Sequence, residues 1–171
     1  MMTVIRVFRE ARYVRLLPAL AVLLAVFWAC AVRPKPPVRS VLRRQVAALA
    51  VSLAGLPYAY GGSDIDGFDC SGLVHYVYDC FGIRLPRSAR EQSKLPGDVR
   101  LQRAAAGDIL VFRLKKAWHS AIYLGDGRFV HAPSAQGWVR VETLNDYWLP
   151  RLKTAIVVLP PHRPAPAGGR S

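Results

Sequence analysis

Cys70 stands between Asp69 and Ser71 at the end of a glycine-rich stretch, and two histidines, His119 and His131, flank Gly125-Asp126-Gly127 further along the chain. These three residues have the types that nucleophilic chemistry requires. A thiol at the first residue of a helix meets partial positive charge and backbone donors, which are expected to lower its pKa. Such a nucleophile needs a base to take its proton, and the base needs a partner that fixes its tautomer. His162 lies in the C-terminal tail, and His75, five residues past Cys70, is about 140° around a helix from it and is assigned to surface or packing.

The cysteines are read as thiols. Cys70 and Cys80 are ten residues apart on one predicted helix, about 15 Å at helical rise, whereas a disulfide requires Cα atoms within roughly 7 Å. Cys80 is expected to be a small apolar residue on the buried helix face. For the histidines, a three-residue turn pairs Leu124 with Arg128, sets Ala121 opposite His131 and Pro133 opposite His119, and makes the two imidazoles diagonal neighbours on one sheet face. A Cys/His/His zinc site is the competing chemistry and is disfavoured because no second cysteine lies close in sequence. No cofactor is expected. Asp64-Ile65-Asp66-Gly67 resembles a calcium loop only faintly, since its glycine comes early and the twelfth position is His75; it is read as a turn.

The elements that must position these groups follow from pattern. Ser40 is expected to cap a helix over 41–54, with Val41, Leu42, Val46, Leu49 and Leu53 on one side and Gly55 as its stop. Asp69 is the expected N-cap of a helix from Cys70 to Phe81, closed by Gly82. Ser88-Ala89-Arg90-Glu91 matches a capping box for a short third helix. From Gly107 onward the pattern turns β-branched and aromatic: Ile109–Leu114, Trp118–Leu124, Arg128–Ala132, Val139–Val141 and Leu152–Val158 are predicted strands. Helices followed by an antiparallel sheet of about five to six strands define an α+β fold.

Composition bounds the function classes. The chain has 171 residues with 24 Lys and Arg against 11 Asp and Glu, a formal charge of +13. That length predicts one domain, and 52% apolar against 20% charged residues excludes a wholly disordered chain. Three cysteines exclude a disulfide-dense scaffold. Residues 1–39 hold seven basic side chains against Glu10 alone, so the remaining residues keep a basic surplus of their own. Four arginines precede the 14-residue apolar run Leu16–Ala29, which is short of the about 20 residues of a membrane span and reads as a signal peptide over 1–29. Cys30 after Ala29 resembles the lipid-modification site of bacterial lipoproteins, from whose pattern Phe27 and Trp28 depart, and the resemblance implies lipidation at Cys30; 30–39 is read as a proline-rich linker. Residues 40–158 form the expected domain and 159–171 a disordered tail. The expected location is the periplasmic face of a bacterial membrane, the outer one in preference to the inner. Basic charge without an aromatic-basic repeat, behind a leader, argues against nucleic acid. Arg84, Arg87, Arg90 and Lys94 are read as solvated surface charges.

One family resemblance covers about 40–158 in collinear order. Gly55-Leu56-Pro57-Tyr58-Ala59-Tyr60-Gly61-Gly62, Gly67-Phe68-Asp69-Cys70-Ser71-Gly72-Leu73-Val74, Leu85-Pro86-Arg87-Ser88-Ala89, Glu91-Gln92, Gly107-Asp108-Ile109-Leu110-Val111-Phe112, His119 with Ile122-Tyr123-Leu124-Gly125, and Phe129-Val130-His131-Ala132-Pro133 resemble the NlpC-type cell-wall cysteine peptidases. The resemblance implies a papain-like α+β fold and hydrolysis of amide bonds in peptidoglycan stem peptides, typically between D-glutamate and meso-diaminopimelate. By position it implies Cys70 as nucleophile, His119 as general base and His131 as the residue orienting it. It places Tyr58 near the oxyanion and Asp69 and Ser71 along the substrate groove. His75 and the short basic segment at Lys115-Lys116 depart from the family pattern. The implied partners are stem peptides and, through lipidated Cys30, a membrane; a monomer is expected. Two other readings stay open: a related amidase or acyltransferase with the same three residues, and a non-catalytic peptidoglycan-binding lipoprotein.

Overall fold

The computed structural model describes residues 38–159; the expected signal peptide over 1–29, Cys30, the expected linker up to residue 37, the tail beyond residue 159 and His162 lie outside the described residues, and residues 38–39, expected in the linker, are helical. Helix α1 runs Val38–Ser52, so Ser40 falls inside its first turn and is not its cap. The helix stops as expected before Gly55, whose φ of +92° suits a residue without Cβ. A two-stranded hairpin follows, β1 (Ser63–Asp64) and β2 (Gly67–Phe68). Its turn is closed by the Asp66 N–H donating to Asp64 Oδ1 at 3.0 Å, so the aspartates serve a turn. Helix α2 spans Cys70–Asp79 and α3 spans Ala89–Gln92.

The remaining strands are β3 (Asp98–Val99), β4 (Ile109–Arg113), β5 (Trp118–Gly125), β6 (Arg128–His131), β7 (Arg140–Thr143) and β8 (Leu152–Ile156). They form one antiparallel sheet in the order β3-β8-β4-β5-β6-β7. β4 through β7 are a meander, and β8 returns to lie beside β4. This is the expected α+β architecture with six strands.

Alternation along the strands builds two cores on opposite sheet faces. One joins Val46 and Ala50 of α1 and Leu73, Val74 and Val77 of α2 to Ile109, Val111, Ile122, Val130 and Ile156. The other holds Leu110, Phe112, Ala121, Tyr123, Phe129, Ala155 and Trp148. Arg43 reaches from α1 to the buried Asp108 at 2.6 Å, and the buried Tyr78 hydroxyl of α2 donates to the Gly107 carbonyl. Both helices are thereby tied to the start of β4.

The β5–β6 hairpin differs from expectation at its tip. Gly125 pairs with Arg128, leaving a two-residue Asp126-Gly127 turn with φ of +51° and +71°, the left-handed pair that matches strand twist. The surplus residue becomes a bulge between Tyr123 and Gly125. Beyond it the register returns to Ile122↔Val130 and Tyr123↔Phe129, as the three-residue loop predicted. Cys80 corrects a second expectation: it is exposed. The helix ends at Asp79, with Cys80 as its C-cap, so the buried face stops at Tyr78.

Candidate active site

Cys70 opens α2 because Asp69 caps it. Asp69 has extended backbone, and its Oδ1 accepts from the Gly72 N–H at 2.7 Å. The carboxylate is otherwise engaged by Arg87, at 2.9 Å to Oδ1 and 2.8 Å to Oδ2, by the Ser71 hydroxyl at 3.1 Å and by the Gly61 N–H at 3.1 Å. Burial raises the pKa of Asp69, but the Arg87 hydrogen bonds, the Gly72 N–H and the Arg87 charge outweigh it and hold the carboxyl below its ordinary range. Arg87 also donates to the Gly62 carbonyl at 2.9 Å. It is therefore not a solvated charge; it fastens the glycine-rich loop to the start of α2. Gly72 completes this junction, since a Cβ there would lie 2.0 Å from the Gly62 carbonyl oxygen.

Beside Cys70 lies an open cleft of about 640 Å3. Tyr58, Asp69, Cys70, Ser71 and His119 line it, with Tyr60, Arg87, Arg90 and Lys116 among the wall residues. Of the six residues predicted for the catalytic centre and its groove, all except His131 thus face one space. The Asp69 and Ser71 side chains are largely committed to Arg87 and to each other, so their structural duty is to position the helix start. Tyr60 is almost fully exposed at the rim. Arg84 and Lys94 are not among the lining residues.

His119 and His131 come from β5 and β6 on the same face, as the register predicted. His119 Nε2 and His131 Nδ1 are 2.8 Å apart. His119 is 7% exposed and His131 fully buried. Burial, the largest cause for each, lowers both pKa values; His131 adds to it for His119, and Arg140 adds to it for His131. Both imidazoles are accordingly neutral at neutral pH. With Nε2 of His119 committed to His131, its other ring nitrogen, Nδ1, is the one left for a proton in the cleft.

The thiol departs from expectation. Burial pushes the Cys70 pKa up, and Asp69 adds to the rise; N–H groups of Ser120 and Ser71 and the Ser71 hydroxyl pull it down without reversing the shift. Desolvation outweighs the helix terminus here. Tyr58, half-buried, has its hydroxyl pKa raised by burial first and by Cys70 second. His75 lies 2.9 Å, through Nδ1, from the Leu85 carbonyl, a packing role as expected.

Two residues absent from the sequence-derived set complete the site. Glu142 on β7 places Oε1 3.5 Å from His131 Nε2, and Trp148 donates from Nε1 to Glu142 Oε2 at 2.7 Å. The Trp148 ring also stacks on His119, with centroids 5.6 Å apart at 28°. Among the described residues no group of three or more His, Cys, Asp or Glu is arranged to hold a metal ion.

A family model described as the NlpC/P60 family matches residues 55–157. The chain belongs to the NlpC/P60 family. It is similar to the murein DD-endopeptidase MepH of Escherichia coli K12, 39% identical over 102 residues, which cover 55% of this chain and 38% of that protein. It is also similar to the γ-D-glutamyl-L-lysine dipeptidyl-peptidase of Bacillus cereus, 37% identical over 95 residues, 53% of this chain and 28% of that one. A crystal structure of an NlpC/P60 family protein from Bacillus cereus matches with a TM-score of 0.65 at 32% identity, over 69% of this chain and 40% of that chain. The matched region spans under half the length of each of these three relatives.

Proposed function

We propose that this NlpC/P60 chain is a cell-wall cysteine endopeptidase that hydrolyses amide bonds in peptidoglycan stem peptides. The observation that carries the reading is the Cys70 thiol at the capped start of α2, in one open cleft with His119, whose ring is backed by buried His131 at 2.8 Å.

The resting groups are a neutral thiol and a neutral imidazole that line the same cleft. As Cys70 Sγ bonds to the amide carbonyl carbon, its proton passes to His119. The developing oxyanion is met by the Cys70 N–H at the helix start, with the Tyr58 hydroxyl as second donor. His119 then gives the proton to the leaving amine, the C–N bond breaks and a thioester remains on Cys70. Water, deprotonated by His119, attacks the thioester and regenerates the thiol. His131 holds His119 in orientation throughout. Arg90 and Lys116 on the cleft wall suit a substrate that carries free carboxylates.

The bond we assign is that between D-glutamate and meso-diaminopimelate. One relative is named for a D,D-bond and another for a γ-D-glutamyl bond, so the test uses defined fragments. Purified protein is incubated with monomeric stem tripeptides and with D,D-cross-linked dimers, and the products are weighed by mass spectrometry. Monomeric stems cut to leave a new diaminopimelate amino terminus support the assignment. Conversion of dimers to intact monomers overturns the bond, and folded protein that cuts neither overturns the activity. We also propose export, with the chain anchored through an acylated Cys30; the mass of the mature N-terminus tests it.

A further inference from the structure

We propose that Glu142 is a positioning residue that sets which nitrogens of His131 and His119 carry their protons; this rests on the reading above that His119 is the base. His131 Nε2 is buried, and among the described residues no ordinary hydrogen-bond partner lies against it. A buried imidazole nitrogen requires one. The group facing it is Glu142 Oε1 at 3.5 Å, a distance that allows the contact to tighten when the cleft is filled.

The tautomers then follow by elimination. A carboxylate only accepts, and a neutral imidazole has one N–H and one lone pair. Facing Glu142, His131 carries its proton on Nε2, and its Nδ1 is an acceptor. The 2.8 Å contact between the rings therefore has the His119 Nε2–H as donor. The lone pair of His119 falls on Nδ1, the nitrogen needed to receive a proton from Cys70. With the opposite arrangement, His119 presents an N–H to the thiol and has no lone pair to offer it.

Glu142 is itself held in place. The register His131↔Arg140 and Phe129↔Glu142 puts it on the same face as His131 and diagonal to it. Trp148 Nε1 donates to its Oε2 at 2.7 Å, and Arg140 Nε pairs with its Oε1 at 3.1 Å. The indole that fixes the carboxylate also covers both imidazoles, stacked on His119 and edge-on to His131 with centroids 5.1 Å apart.

The test reads tautomers directly from the 15N shifts of the imidazoles by long-range 1H–15N NMR, together with steady-state kinetics on a defined stem peptide. In the wild-type chain both histidines are expected to carry hydrogen on Nε2. In Glu142→Gln, Trp148 holds the amide oxygen, the NH2 turns to His131, and the His131 proton moves toward Nδ1. The expected kinetic effect is a fall in kcat of about tenfold or more, the scale seen when a hydrogen-bond partner that orients a functional histidine is lost, with KM within about twofold. Glu142→Asp restores the Nε2–H form and part of kcat. A wild-type His131 protonated on Nδ1 overturns the proposal, as do unchanged tautomers and kcat in Glu142→Gln. The wild-type tautomers decide the matter if the glutamine variant does not fold. They also decide it if the wild-type chain cuts no wall fragment, an outcome that defeats the catalytic reading alone.

Discussion

His119 Nε2 stands 2.8 Å from His131 Nδ1 with both rings buried, and the pairing follows from a strand register set by a two-residue turn. Asp126 and Gly127 accept the left-handed conformation that a tight hairpin needs. The bulge before them absorbs one residue, so Ile122 meets Val130 and the histidines lie diagonally on one face. A slip of one residue would send them to opposite faces.

That burial makes the fold sensitive to acid. Both histidines have folded pKa values below the ordinary 6.5. Below pH 6.5 the unfolded chain therefore binds more protons than the folded one, and stability falls as pH falls. The expected slope is about 1 kcal/mol per pH unit for each imidazole, under the limit of one proton per group. Asp69 does not contribute in this window, because its ordinary value of 3.8 is lower still in the fold. Thermal midpoints measured between pH 7 and pH 5 should drop steadily, and His131→Asn should flatten the profile by about half. A flat wild-type profile would show that the pair is not held neutral by burial.

The thiol makes a prediction of the opposite sense. Because burial raises the Cys70 pKa above the ordinary 9.0, alkylation by iodoacetamide should accelerate continuously from pH 6 to beyond pH 9. The measurement uses a Cys30→Ser, Cys80→Ser background, since Cys80 is exposed. A rate that is already at its plateau below pH 7 would mean a thiolate–imidazolium pair at rest, and the proton-transfer order given above would be wrong.

Much of the site was legible because its signals are local. A cap three residues before the N–H that it serves, as with Asp69 and Gly72 or Ser88 and Glu91, is written in adjacent residues. The histidine pairing needed only a short turn and a period of two. What was missed depends on contacts that the chain does not announce. Glu142 meets His131 through the β6–β7 register, across the loop from Ala132 to Val139, and nothing in that loop fixes the pairing. Trp148 arrives from beyond β7, just before the 3-10 segment Leu149–Arg151. Arg87 sits in a run of basic residues, and only the approach of the 61–62 loop, against a helix start with no side chain at Gly72, makes it a structural tie. The two-residue strands β1, β2 and β3 are too short to show periodicity. The raised thiol pKa is not legible in the sequence, because the helix start is visible there and the depth of burial is not.

The central claim is that the Cys70 sulfur attacks the amide carbonyl, and one comparison tests it most directly. Purified sacculi are digested with the wild-type chain and with Cys70→Ala, and the soluble fragments are resolved by mass spectrometry, with circular dichroism and thermal midpoints to show that both proteins are folded. The account predicts stem-peptide cleavage by the wild type and none above background by the folded alanine variant. Cleavage at an undiminished rate by Cys70→Ala would contradict it.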